Sequence, residues 1–302
     1  MKTKILTALL CLPITLAAQF PIGSRSITFN DPSRGGRAIP CEVYYPAVVA
    51  GTATELADGA FPVLAFGHGF AMGVGAYGNI TGAFVPEGYI VVLPTTEGSL
   101  IPAPSHLDFG LDLAFVIDAM QAQGLDNASS YFAHVASTSA VMGHSMGGGA
   151  SFLAAASSPA ITTLVTYAPA ETNPSAIAAA AQIDIPALVL AGSQDCVTPP
   201  GSNQVPMFEA LSGACKAYVE ITGGGHCNFA NSNFNCSFGE LTCGGGGSLG
   251  REGQQALADQ YTLLWLDRYL KDDAAAEDEF LALLGVGAGM QAPGGSWTIA
   301  RP

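Results

Sequence analysis

The sequence predicts an α/β fold, with a mostly parallel sheet of about eight strands flanked by helices, and three observations carry that expectation. First, short runs that are apolar at every position recur between turn residues, such as 62–66 (PVLAF) and 89–93 (YIVVL). Such runs suit strands covered on both faces, as in a parallel sheet. Second, helical stretches alternate with these runs through the later chain, the pattern of strand–helix–strand crossovers. Third, the segment 139–154 (SAVMGHSMGGGASFLA) takes an apolar strand into Gly143-His144-Ser145-Met146-Gly147 and starts an Ala-rich helix at once. A serine held on a sharp strand-to-helix turn, with glycines where a side chain would collide, is the G-x-S-x-G elbow in its required context.

In chain order, residues 1–18 read as a secretory signal. Lys2 and Lys4 precede the apolar run 5–16, and Ala17 and Ala18 provide a cleavage region. The run is too short to span a bilayer; its competing reading is a buried N-terminal helix. One domain is expected over 19–284. Strands at 26–29 and 41–46, joined by the turn-rich 30–36, form an antiparallel edge, and 51–60 is a polar loop. The strand 62–66 ends in Gly67-His68-Gly69-Phe70-Ala71-Met72-Gly73, and a short helix over 79–85 precedes the strand 89–93. Ser105 caps a helix over 107–123, whose apolar positions 109, 113, 116, 117 and 120 share one face. The helix after Ser145 ends near Pro159. Strands follow at 164–167, 187–190 and 217–221, with an Ala-rich helix within 168–186 and another around 205–211. A long helix over 251–269 and a weaker one near 277–284 close the domain, and the Gly-rich tail 285–302 reads as flexible. With the elbow on a central strand, this is an α/β-hydrolase arrangement. The short 168–186 connection predicts no large lid.

Composition narrows the partners. Without Lys2 and Lys4, eight basic residues face 24 acidic ones, a net charge of −16. Such a surface repels phosphate backbones and anionic lipid heads, which argues against nucleic-acid or membrane binding. Six cysteines remain after Cys11 leaves with the signal: Cys41, Cys196, Cys215, Cys227, Cys236 and Cys243. An even number in an exported chain points to disulfides, with the pairing open. Zinc is the rival reading for residues 196–243, but the spacings lack a C-x-x-C pair.

A serine hydroxyl needs a base, and the base needs an orienting acid. In this arrangement they follow in the order Ser, acid, His, each beyond a strand end. Asp195 follows the strand 187–190 and His226 follows the strand 217–221, so Ser145, His226 and Asp195 are the candidate nucleophile, base and acid. Asp184 precedes its strand and fails on position; His106 and His134 read as surface residues. The oxyanion of the reaction needs backbone donors, for which the amides of Met146 and Phe70 are placed. His68 reads as shaping its loop rather than as catalytic.

These residues resemble the polyesterase–cutinase branch of the α/β-hydrolases, the bacterial cutinase-like enzymes that include poly(ethylene terephthalate) hydrolases. The resemblance rests on Gly143 to Gly149, Gly69-Phe70-Ala71, Asp195, Gly224-Gly225-His226 and the closing segment WLDRYLKD at 265–272. It covers roughly residues 60–280 and implies a serine ester hydrolase without cofactor or metal, with Phe70 also lining the acyl site. Some relatives join the Asp and His loops by a disulfide. Cys196 and Cys227 directly follow Asp195 and His226, so a Cys196–Cys227 link is slightly preferred over Cys196–Cys215 with Cys227 joined to Cys236 or Cys243. Two departures stand out. Ala170 falls where these enzymes carry a tryptophan that stacks on aromatic substrate. The insertion 228–250 sits beside His226, either as a disulfide-pinned surface loop or as an apolar wall built from Phe229, Phe234 and Phe238.

The expected protein is therefore a secreted or periplasmic monomer acting on short- to medium-chain esters, with polyesters within its range, and with Phe70, Met146, Ala170 and Phe229 as substrate-binding residues. The alternatives are a lipase-like or small-molecule acylhydrolase, a serine peptidase or amidase, and, last, a binding protein that keeps the fold without the chemistry.

Overall fold

The computed structural model describes residues 19–213 and 215–284, together with the backbone of 295–300; the expected signal 1–18 lies outside them. Ten strands form one sheet: β1 (Ile22–Asp31), β2 (Arg37–Pro46), β3 (Gly51–Thr52), β4 (Phe61–Gly67), β5 (Ile90–Pro94), β6 (Val135–His144), β7 (Thr163–Tyr167), β8 (Ala187–Gly192), β9 (Lys216–Ile221) and β10 (Gly295–Ala300). Their order is β10-β9-β8-β7-β6-β4-β5-β2-β1-β3. The block from β9 to β5 is parallel, and β2 and β1 continue it antiparallel, as the short 32–36 turn requires. Where the sequence suggests only a flexible tail, β10 pairs antiparallel with β9; residues 285–294 lie outside the described ones.

The helices are α1 (Gly78–Phe84), α2 (His106–Leu125), α3 (Met146–Ser157), α4 (Ala176–Ala180), α5 (Gln204–Ala210), α6 (Phe234–Cys243), α7 (Arg251–Leu270) and α8 (Ala274–Leu283). Ser105 caps α2 by accepting from Asp108 N at 3.2 Å, and Phe109, Leu113, Val116, Ile117 and Met120 are all fully buried, the face read from the spacing. The Ala-rich stretch 168–186 yields only the short α4, because Pro169, Pro174 and Pro186 limit helix at either side.

The strands are buried on both faces. Along β4, Val63 and Ala65 join the core that includes α2 and α3, while Leu64 and Phe66 join the core that includes α1, α7 and α8. That two-sided burial explains why no polar alternation marks these strands. After β5 the chain crosses β4 and lays β6 on its other side, so the carboxyl ends of β4 and β6 diverge there. Such a switch point is where open α/β sheets hold their ligands.

Candidate active site

The elbow is strained and tightly packed. Ser145 has φ 57° and ψ −120°, a conformation unfavourable to a residue with a Cβ. Its backbone is held on both sides: Ser145 N donates to Tyr167 O at 3.0 Å, and Ala170 N donates to Ser145 O at 2.9 Å. The glycines are needed for close approach. A Cβ on Gly143 would lie 2.3 Å from Gly147 O, and one on Gly149 would lie 2.1 Å from Ala170 O.

From this turn Ser145 Oγ lies 2.9 Å from His226 Nε2, and His226 Nδ1 lies 2.7 Å from Asp195 Oδ2. The three residues come from loops after β6, β9 and β8, and all are buried. The geometry fixes the tautomer: Nδ1–H donates to the carboxylate, leaving the Nε2 lone pair to accept from the serine hydroxyl. Asp195 is itself oriented by its own loop. Oδ1 accepts from Val197 N at 2.9 Å and Thr198 N at 2.8 Å, and Oδ2 accepts from Thr198 Oγ1 at 2.8 Å. Gln204 Nε2 in turn donates to Thr198 Oγ1 at 3.2 Å and to Pro169 O at 2.6 Å.

His226 is clamped through its neighbours. Gly225 exchanges two hydrogen bonds of 2.8 Å with the buried side-chain amide of Gln254 on α7, and Cys227 N donates to Glu240 Oε1 at 2.8 Å. A further chain crosses beneath the site. Gly69 N donates to Tyr77 Oη at 2.7 Å, Tyr77 Oη–H to His144 Nδ1 at 3.0 Å, and His144 Nε2–H to His226 O at 3.0 Å. Only one tautomer of a neutral imidazole serves this chain. Burial, with the adjacent His226, holds His144 well below the usual histidine range, and burial pushes the Tyr77 phenol up. The path joins the loop of Phe70, the elbow and the loop of His226 through two side chains that are fully buried.

Among the other expected residues, Met146 opens α3, so its N–H has no acceptor within the helix. Phe70 is 49 % exposed at the rim, and Ala170 is half-buried beside Ser145. Phe229 departs from the expectation: it is buried against Tyr167 and His144, with ring centroids 5.7 and 6.2 Å away, and so belongs to the core rather than to a substrate wall. His68 ties two loops together, its Nε2 2.8 Å from Thr96 O and its ring 4.7 Å from that of Phe109. It lines a pocket of about 500 Å³ between the Phe70 loop and residues 95–104, with Met72, Glu97 and Ser99. That second loop is fixed by Asp112, which is fully buried, takes a bidentate pair from Arg37 at 2.8 Å and accepts from Thr96 Oγ1 at 2.6 Å.

The cysteines depart from the preferred pairing. The bonds are Cys196–Cys243 and Cys227–Cys236, so the Cys196–Cys227 link is absent and only the Cys227–Cys236 alternative holds. Cys236 and Cys243 lie seven residues apart on α6, about two turns, and so emerge on one face. That face spans both loops, and each loop is pinned to α6 rather than to the other. Cys41 and Cys215 are free. They sit on β2 and just before β9, six strand spacings or roughly 29 Å apart in the sheet order, far beyond disulfide reach. Of the five cysteines in the zinc reading, four are thus disulfide-bonded and Cys215 is a free thiol, and among the described residues no cluster could hold a metal ion.

Sequence reasoning missed Thr198, Gln204, Gln254, Tyr77 and Glu240. Thr198 alone left a local signal, an Asp-x-x-Thr turn in which the carboxylate captures its own backbone. The others act from distant elements.

The model of the PET hydrolase-like family matches residues 40–282. The bis(hydroxyethyl) terephthalate hydrolase of Streptomyces coelicolor is 25 % identical over 244 residues, covering 80 % of this chain and 65 % of that protein. Cutinase est1 of Thermobifida alba is 28 % identical over 139 residues, 46 % of this chain and 38 % of the cutinase. The cutinase of Thermobifida fusca is 27 % identical over 135 residues, 44 % of this chain and 36 % of its own. The matches thus span less than two thirds of these relatives' lengths.

Proposed function

Because the chain belongs to the PET hydrolase-like family, we propose that it is a carboxylic-ester hydrolase working through a serine acyl-enzyme. The observation that supports this most is the unbroken line of 2.9 and 2.7 Å contacts from Ser145 through His226 to Asp195. Ser145 Oγ attacks the ester carbonyl as His226 Nε2 takes its proton. The amides of Met146 and Phe70 receive the oxyanion, and the imidazolium, stabilised by Asp195, returns the proton to the leaving alcohol. Water repeats the cycle on the acyl-enzyme. No step calls for a cofactor or a metal.

The substrates of this reading are short- to medium-chain esters, extending to polyesters. The names of the relatives, a terephthalate-ester hydrolase and cutinases, support polyester chemistry. Ala170 provides no flat aromatic wall, so aliphatic polyesters are favoured over aromatic ones. The protein acts as an exported monomer, secreted or periplasmic. The charge pattern of residues 1–18 and the two disulfides support export; among the described residues no helix is long and apolar enough to cross a membrane.

The test compares nitrophenyl acetate, butyrate and palmitate with a peptide anilide, in the wild type and Ser145→Ala. Turnover of the short esters, lost on removal of Oγ, is expected. Anilide turnover exceeding ester turnover would make it an amidase, and equal ester rates in the Ala variant would overturn the serine mechanism.

A further inference from the structure

Helix α6 carries two stripes with the same spacing. Cys236, Glu240 and Cys243, at i, i+4 and i+7, face the catalytic loops. Both cysteines are in disulfides, and Glu240 is buried with Oε1 on the amide of Cys227. Phe234, Phe238 and Leu241 repeat the spacing two residues earlier, about 200° around the helix. They are 82 %, 58 % and 74 % exposed. The two phenyl rings of this stripe lie near-parallel, with a centroid distance of 6.4 Å and an interplanar angle of 21°. An apolar stripe turned to water on a helix anchored by its other side reverses the usual arrangement.

Its location is fixed at the rim of the candidate site. Asn235 Nδ2 donates to Ala71 O at 2.6 Å, beside the exposed Phe70, while Cys236 is bonded to Cys227, beside His226. The segment leading into α6 is stitched to the continuation of that loop and to the start of α1, with Asn231 N donating to Ala76 O at 2.8 Å and Asn79 Nδ2 to Phe229 O at 3.0 Å. Charge restricts what can lie on the stripe. The one ionisable carboxylate of α6, Glu240, is turned inward and leaves the stripe itself uncharged, while the chain as a whole carries a net charge of −14. An anionic surface, or another acidic copy of this chain, is repelled; a neutral apolar one is not.

We propose that Phe234, Phe238 and Leu241 form a platform that seats a neutral, water-insoluble ester, an aliphatic polyester, next to Ser145. This rests on the ester-hydrolase reading above, and its test is arranged so that the two can fail separately.

In the Ser145→Ala background, protein is pelleted with poly(ε-caprolactone) particles. Adding F234S, F238S and L241S is expected to raise the half-saturating protein concentration about tenfold. A control carrying L125S and F132S removes exposed apolar groups at the far end of α2 and just beyond it, beside the amino ends of β4 and β6 and so away from the carboxyl ends that carry the site; it is expected to bind as its parent does. With Ser145 restored, the triple variant's ratio of polyester to nitrophenyl butyrate turnover should fall by a similar factor. Unaltered pelleting of the triple variant, or an equal loss in the control, overturns the platform. So does light scattering that finds a wild-type dimer dissociated by the triple substitution, which would give the stripe to a second copy. Failure of the wild type on nitrophenyl butyrate overturns the hydrolase reading alone, because pelleting needs no turnover.

Discussion

Replacing Tyr77 with Phe removes one oxygen and strands two buried groups. Gly69 N–H loses its acceptor at 2.7 Å, and His144 Nδ1 loses its donor at 3.0 Å. Each buried group left without a partner costs about 1–3 kcal/mol, so a loss of about 2–4 kcal/mol in stability is expected after partial relaxation. The catalytic consequence follows from position. Gly69 precedes Phe70, whose amide is the proposed second oxyanion donor, and full loss of one such donor costs roughly a hundredfold or more in kcat. A loop displaced rather than deleted should lose about tenfold in kcat, with KM changed less than about threefold, since the donor acts on the transition state and not on bound ester. The assay is nitrophenyl butyrate kinetics beside urea unfolding. His144→Leu, which cuts the same chain one link further on, should add little in the double variant, a coupling of about 0.5–3 kcal/mol. If the two substitutions add in full, or if Tyr77→Phe loses stability while kcat stays at the wild-type value, the chain is scaffolding only and the reasoning is refuted.

Thr198→Val keeps the shape but removes the hydroxyl on Asp195 Oδ2, so kcat should drop about tenfold while KM holds, read in the same assay. Converting Cys196 and Cys243 to Ser opens a 47-residue separation, worth about 4 kcal/mol by loop entropy, against about 2.5 kcal/mol for the 9-residue separation of Cys227 and Cys236; thermal unfolding of the two double variants should rank them in that order. Burial pushes the Asp259 carboxyl on α7 from its ordinary 3.8 up to about 7. The folded state therefore holds this proton more tightly than the unfolded state, and ionisation opposes folding: the carboxyl costs nothing below pH 4 and up to about 4 kcal/mol above pH 7. Asp259→Asn should melt above the wild type at pH 8, with the gap closing at pH 4; a gap independent of pH would contradict this.

Much of the fold and of the candidate site was legible in the sequence, because those features are written in short patterns. Strands covered on both faces show as unbroken apolar runs, the α2 face shows in its 3.6-residue period, and the elbow needs glycines wherever backbone meets backbone. Ser145, Asp195 and His226 could be found because each closely follows a strand, and parallel strands bring their carboxyl ends to one edge whatever the rest of the chain does. The supports of the site were not legible, since each joins residues far apart in the chain: Gln254 reaches Gly225 from α7, and Tyr77 reaches His144 from another layer. Cysteine pairing failed for the same reason. Counting six invited three bonds, yet Cys41 and Cys215 lie at distant strands, and Cys196 and Cys227 face a helix and not each other. Phe229 and Phe234 look alike in an apolar, cysteine-rich insertion; only the packing buries the first against His144 and turns the second to water. Sequence alone determined which three side chains meet at the candidate site, because covalent order along strands fixes which side chains can meet at the carboxyl ends of the sheet. Tertiary structure decided what holds them and which apolar groups face water, because burial depends on elements that no local pattern encodes.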